Sequence, residues 1–345
     1  MTTILFAGDI NLKDVVAPDA PFPKVIDVLS DADLRFANLE CSFFEPKDAL
    51  SEPADGLQAR IALAEALKIA GFDVVGTANN GNYGPEAILQ TSATLREHGI
   101  AEVGAGADLA AARKPAILEV NGQMVGLLQR TSVYWPLGHE ATNHTPGVAV
   151  LPGHTSYMLQ IHRTGHKVPP LNRPGNPPEI ITWADPKALD QLRGDIEDLR
   201  AKCDIVIASH HWGLKRDVLA YMPEIAHAAI DAGADAVIGH GPHFPMAVEI
   251  YKGKPVFYSL SSFCFNVGHS GKRSGNWSGM MARINFEGRK PAEVAFRWVR
   301  HDAENRTWFP DPAEEEANLK DVAARSAVYG TRLSIDGNEI RVALD

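Results

Sequence analysis

The segment Asp235-Ala-Val-Ile-Gly-His240-Gly-Pro-His243 constrains this chain more than any other. Its apolar run reads as a buried strand, which stops at Gly239 and delivers two histidines, three apart, into a loop. The same design recurs along the chain. Asp204-Ile-Val-Ile-Ala208 runs into Ser209-His210-His211-Trp212-Gly213, and Ile4-Leu-Phe-Ala7 runs into Gly8-Asp9. Leu34-Arg-Phe-Ala-Asn-Leu39 ends on Glu40, and Val74-Val-Gly-Thr-Ala78 ends on Asn79-Asn80. Five strands thus finish in groups able to bind a metal, and these groups converge only if the strands lie side by side. Sites in open α/β sheets sit outside the strand carboxyl ends, so the pattern predicts a clustered O/N metal site.

The rest of the chain fits a layered α/β fold. Helices are expected over 23–31, 58–70 (ended by Gly71), 85–98, 186–202, 222–232 and 312–328. A hairpin is expected around Asn121-Gly122, a type I′ turn signal. After the second histidine motif the reading becomes antiparallel, with strands at 247–251, 255–260, 279–286 and 292–300 and a hairpin over 332–344. Residues 132–185 carry eight prolines and little periodicity, as a substrate-covering insertion would. The expected organisation is a single domain over 1–345, with 279–345 as a C-terminal β/α extension.

Composition narrows the partners. Lys+Arg 33 against Asp+Glu 43 leaves a net charge of −10, which disfavours nucleic acid. The three cysteines lack zinc-ribbon spacing or an evident disulfide framework. No apolar run suggests a membrane span, and the N-terminus starts a strand without a basic leader. The expectation is a soluble cytoplasmic protein acting on an anionic small molecule or short peptide.

Asp9, Glu40, Asn80, His211, His240 and His243 offer carboxylate, amide and imidazole ligands, a mixture suited to Mn, Fe or Zn. A shared carboxylate can bridge two such ions, and the pair can polarise an ester or amide oxygen and activate water near neutral pH. Candidate acid, base and clamp residues are His210, Cys41 and Arg130. On a strand His210 faces away from His211. Cys41 reads equally as an inert buried thiol, and Arg130 as a substrate clamp or a structural ion pair. The insertion histidines His139, His144 and His154 are further candidates. The basic stretches at 162–167 and 270–275 read as anion-recognising segments or as solvated loops.

Gly8-Asp9, Asn38-Leu39-Glu40, Ala78-Asn79-Asn80, His211-Trp212-Gly213, Gly239-His240-Gly241-Pro242-His243 and Tyr258-Ser259-Leu260 stand in an order that resembles CapA-type proteins. These are the poly-γ-glutamate (capsule) relatives of the calcineurin-like metallophosphatases. The resemblance implies a four-layer α/β/β/α sandwich with a two-metal site. Asp9, His243 and Glu40 would bind one ion; Glu40, Asn80, His211 and His240 would bind the other. Two departures stand out. Asn11 occupies a position where the wider superfamily has histidine, and Gly81 stands where the family's Asn-Asn-His places the histidine that helps protonate a leaving group, a contribution of about 10²–10⁴-fold. The resemblance therefore implies a metal-dependent hydrolase of an amide or ester, glutamyl-type or phosphoester, of a small acidic substrate. A metal-dependent epimerase using the same site, and a non-catalytic accessory protein of polymer synthesis, are the alternatives.

Overall fold

Alternation along each strand sorts side chains to two faces, and here both faces are buried. In a computed structural model describing residues 1–46, 56–158, 177–267 and 277–344, Ile4, Phe6, Leu34 and Phe36 point one way, onto Leu127, Ile205, Ile207 and Ile238 of a second sheet. The intervening Leu5, Ala37 and Leu39 point the other way, onto Leu29, Leu67 and Leu95 in a helical layer. On the second sheet Val206, Ala208 and Val237 likewise pack under Leu192, Ile196 and Ile225. Helix, sheet, sheet and helix thus stack in the α/β/β/α order. Each fully buried Leu, Ile or Phe contributes roughly 1.5–3 kcal/mol. Three apolar layers at that rate outweigh the cost of keeping a few polar groups out of water at the sheet ends.

The first sheet runs Leu333–Asp336, Glu339–Val342, Lys290–His301, Ser278–Glu287, Thr2–Asn11, Leu34–Leu39, Val74–Gly76 and Ala101–Val103. It is parallel on one side of Thr2–Asn11; on the other, Ser278–Glu287 runs antiparallel along residues 2–6 and Ser262–Phe265 parallel along residues 9–11. The C-terminal strands thus extend the main sheet directly. The second sheet runs Val248–Tyr251, Lys254–Phe257, Ala236–His240, Ile205–His211, Gln123–Thr131 and Ala116–Val120. Its four central strands are parallel, so their carboxyl ends share one edge.

Several expectations need correction. The helix expected over 58–70 is α-helical only at Ala64–Ile69, because Gln58–Ala59 pair as a strand with Ser42–Phe43 and a 3₁₀ turn, Ile61–Leu63, intervenes. Long-range pairing overrides a good helix-forming sequence there. The helix expected over 23–31 shrinks to Ile26–Ser30. The proline-rich insertion is ordered in its described parts: Gly147–Val148 pairs with Ala105–Gly106, and Gly153–Met158 with Glu179–Ala184. Its exit is fixed by Asp185, whose Oδ1 accepts from Ala188 N at 2.9 Å and caps helix Pro186–Arg200. The basic segments at 162–167 and 270–275 lie outside the described residues. Among those described, no helix is long and apolar enough to cross a membrane.

Candidate metal centre

Register explains how six distant residues meet. Asn38 has the parity of Leu34 and Phe36 and therefore faces the second sheet. Asp9, an odd position like Leu5, would face the helices in a regular strand. A register shift between Phe6 and Asp9 sets Asp9 opposite Asn38 and turns it inward, sending Ile10 to the helical side. Gly8 permits this: a Cβ there would lie 2.1 Å from the Ser261 carbonyl oxygen, which accepts from Asp9 N at 2.8 Å. In the second sheet His211 and His240 continue the inward faces of Ile207 and Ile238. Gly241, at φ +110, reverses the chain so that His243, itself left-handed at φ 56, returns to the same spot.

His240 Nδ1 and His243 Nδ1 lie 3.2 Å from the two oxygens of Asp9. Glu40 Oε1 stands 3.7 Å from His243 Nε2 and 3.9 Å from His211 Nε2, and His211 Nε2 is 2.8 Å from Asn80 Oδ1. Donor atoms of Asp9, Glu40 and His243 fall within 4.8 Å of one another. All of the carboxylates and the other two imidazoles are buried, whereas the His243 side chain is 21% exposed. The cluster therefore opens to solvent at His243.

Around it stands a polar frame. Asn38 donates to Asp9 Oδ1 at 2.9 Å and its amide lies 3.4 Å from His211 Nδ1. Asn38 Oδ1 in turn accepts from Asn79 and Gln129. Gln129 also accepts from Ala78 N, which locks the start of the asparagine loop to the second sheet. Trp135 donates to the Asn80 carbonyl at 2.9 Å. His243 is held between Phe265 and Trp277, with ring centroids 4.4 and 4.8 Å away. Gln129 and Trp277 are neighbours that sequence reasoning passed over, and Asn38 figured there only as part of the motif Asn38-Leu39-Glu40. For Gln129 a signal existed, a polar residue on the inward face of a strand otherwise lined by Val125 and Leu127. Trp277 carried none, because its contact with His243 is purely tertiary.

Electrostatically the cluster is tuned for a cation. Burial alone would raise the Asp9 carboxyl, but the close contacts and charge of His240 and His243 outweigh it and hold it far below the carboxylate range. Glu40 is pushed well up by burial and then by the Asp9 charge. Glu40 Oε2 and both His240 nitrogens are buried without an aligned hydrogen-bond partner; the Asp9 contact to His240 is close but misaligned. Buried polar groups are seldom left so. A divalent cation would satisfy these lone pairs and offset two carboxylates, so the residues fit the metal that the motif implies. Asn11 stays outside: its amide donates to the Val267 carbonyl and its oxygen accepts from Lys13 N.

The other expected residues lie apart from the cluster. Arg130 and His210 share the outward parity of Leu128 and Ala208. Arg130 is paired with Asp195, which also binds Arg113 at 2.5 Å. His210 packs against Trp212 with ring centroids 4.7 Å apart and planes tilted by 33°, lies 2.9 Å from Ser132 Oγ, and is driven well below the usual histidine range by burial, then by His211 and Arg130. Cys41 is buried in the helix-side core, and burial pushes its thiol to about 12. His139, buried, is pushed to about 4 by burial and spans Trp135 N and the Asn82 carbonyl, a bracing role. His154 pairs with Asp185 on the hairpin, and His144 sits in an exposed turn. Gly81 has a physical cause. A Cβ there would lie 2.4 Å from the Glu40 carbonyl oxygen and 2.9 Å from its Cγ, so this backbone excludes a histidine at that position.

A family model described as bacterial capsule synthesis protein PGA_cap matches residues 3–267. The capsule biosynthesis protein CapA of Bacillus anthracis is 28% identical over 280 residues, covering 77% of this chain and 60% of that protein. The PGA biosynthesis protein CapA of Bacillus subtilis (strain 168) is 30% identical over 276 residues, covering 76% and 63%. A protein of Mycobacterium tuberculosis named "Probable polyglutamine synthesis accessory protein" is 31% identical over 192 residues, covering 54% and 43%. The chain spans less than two thirds of the length of the curated relatives it matches.

Proposed function

The chain belongs to the bacterial capsule synthesis family PGA_cap, and on that premise we propose that it is a metal-dependent hydrolase of amide or ester bonds in small acidic, glutamyl-type molecules. The observation that carries this reading is the convergence of Asp9, Glu40 and His243 donor atoms within 4.8 Å of one another, from two different sheets, with Glu40 Oε2 and His240 Nε2 buried beside them without a hydrogen-bond partner. Asp9, Glu40 and His243 would hold one divalent ion, and Asn80, His211 and His240, with Glu40 shared, a second. Mn, Zn and Fe all suit this donor set. When bound, such ions polarise a carbonyl or phosphoryl oxygen and make water a competent nucleophile near neutral pH.

The chain's own residues supply the rest. Asn38 fixes the Asp9 carboxylate, and Phe265 and Trp277 fix the His243 ring at the mouth. With glycine at position 81, a leaving-group proton has no donor there, which favours substrates whose leaving group is protonated from solvent. A cytoplasmic location belongs to this reading; three free, buried cysteines accord with a reducing compartment. Elemental analysis of purified protein, then turnover of γ-glutamyl amides and phosphoesters with and without chelator, tests it. Undiminished turnover after complete metal removal would sink it.

Gly81 also supports a second reading, an accessory role in polymer synthesis that keeps the cluster without turnover. Stoichiometric metal together with no hydrolysis of either substrate class would favour that one.

A further inference from the structure

A cleft of about 230 Å³ opens beside the half-buried ligand His243, and nothing in the metal chemistry accounts for its lining. Trp277 and Phe244 form apolar walls, while Arg216, Arg300, Ser278 and Asn318 face it with polar groups. Arg300 is held in two contacts by Glu315, at 2.6 and 3.0 Å, which offsets its charge. Ser278 and Asn318 also donate to Glu315. Arg216 differs. Its guanidinium lies over the Phe244 ring at 4.8 Å, and its carboxylate neighbour Asp321 stands 3.6 Å away, beyond direct hydrogen bonding. Asp321 is also bound by Arg325 at 3.1 Å, and Arg325 donates to the Arg216 carbonyl, fixing the loop that carries it. That loop begins at His211 and Trp212, so one short segment supplies both a metal ligand and a cation for the neighbouring cleft.

Resting on the hydrolase reading, we propose that this cleft is a substrate subsite, in which Arg216 binds the free carboxylate of a short aliphatic acid whose reacting bond lies at the metal centre. The volume suits a group of amino-acid size, and the aromatic walls suit its methylene chain. A single carboxylate group fits better than a phosphate group, because Glu315 and Asp321 flank the cleft and repel two charges on one group more strongly than one. Arg216 is thus a specificity-determining residue, engaging the substrate away from the reacting atoms.

The test uses glutarate as probe and its neutral diamide, glutaramide, as control, with binding followed by calorimetry in protein titrated with Mn²⁺. Arg216→Ala should weaken glutarate about tenfold or more, the worth of one charge-assisted hydrogen bond, and leave Mn²⁺ affinity unchanged. Arg216→Lys should recover part of the loss, since it keeps the charge without the planar fork. Arg216 is half-exposed, so the variants keep the fold, which circular dichroism checks. Glutarate binding unaltered in Arg216→Ala, no glutarate binding to the wild type, glutaramide binding as tightly, or inorganic phosphate binding more tightly would each overturn the assignment. A wild type that takes up none of Mn²⁺, Zn²⁺ or Fe²⁺ yet binds glutarate through Arg216 would instead keep the cleft and refute the hydrolase reading.

Discussion

Glu40→Gln separates what the buried carboxylate does for stability from what it does for metal binding. In the metal-free protein Glu40 is fully buried, one oxygen has no partner, and Asp9 adds a like charge beside it. Replacing the carboxylate with a neutral amide of the same shape removes that repulsion, so the metal-free variant should be more stable than the wild type by about 1–3 kcal/mol. The wild type should gain stability from metal by mass action, about 2.7 kcal/mol at a hundred times Kd. With an unfolding entropy of roughly 2.1 cal/mol/K per residue, the 345-residue chain should have its Tm raised by about 4 °C. Glu40→Gln, lacking the shared ligand, should show less than a third of that rise at the same Mn²⁺ concentration. Scanning calorimetry of both proteins, with chelator and with Mn²⁺, reads all four values. An equal Mn²⁺-dependent rise in the two proteins would refute the placement of Glu40 among the ligands, and a metal-free variant less stable than the wild type would refute the electrostatic argument.

Three further outcomes follow from the packing. Gly81→Ala should cost about 1–3 kcal/mol through overpacking against Glu40 and weaken Mn²⁺ binding at least tenfold; unchanged metal affinity in a folded variant would contradict the close approach. Arg130→Met should change stability by no more than about 1–2 kcal/mol, because Asp195 keeps its two contacts with Arg113, and should leave Mn²⁺ affinity within twofold; loss of metal binding in the folded variant would return Arg130 to the centre. His139 and His301 are both buried with pKa pushed down to about 4. Above pH 6.5 they are neutral whether folded or unfolded. Between 6.5 and 4 only the unfolded chain takes up their protons, so stability should fall with pH by up to about 3 kcal/mol for each. A Tm that stays level from pH 7 to 4.5 would contradict this.

Much of the centre was legible because its donors sit where strands end. Asp9, Glu40, Asn80, His211, His240 and His243 each follow or close an apolar run, and parallel strands bring such ends to one edge. What the runs could not reveal was phase. Simple alternation would turn Asp9 toward the helices; only the irregularity at Gly8, imposed by the Ser261 carbonyl, turns it inward. Phase also decided the acid and clamp candidates. Arg130 pairs in register with His210, so one strand's parity sends both to the outer face. The glycine at 81 was visible as a departure, but its cause, the Glu40 backbone a fraction of a side chain away, is a contact between loops. The short helix after position 58 misled for a related reason, since helix-forming residues were claimed by a strand pairing from elsewhere.

The cluster draws half its donors from each sheet, and Asp9 lies 232 positions before the amide of Gly241 that contacts it. No stretch of nascent chain ending before His243 holds the full set, and neither sheet alone presents it. A divalent cation at this centre would therefore be held only once both sheets have formed and docked.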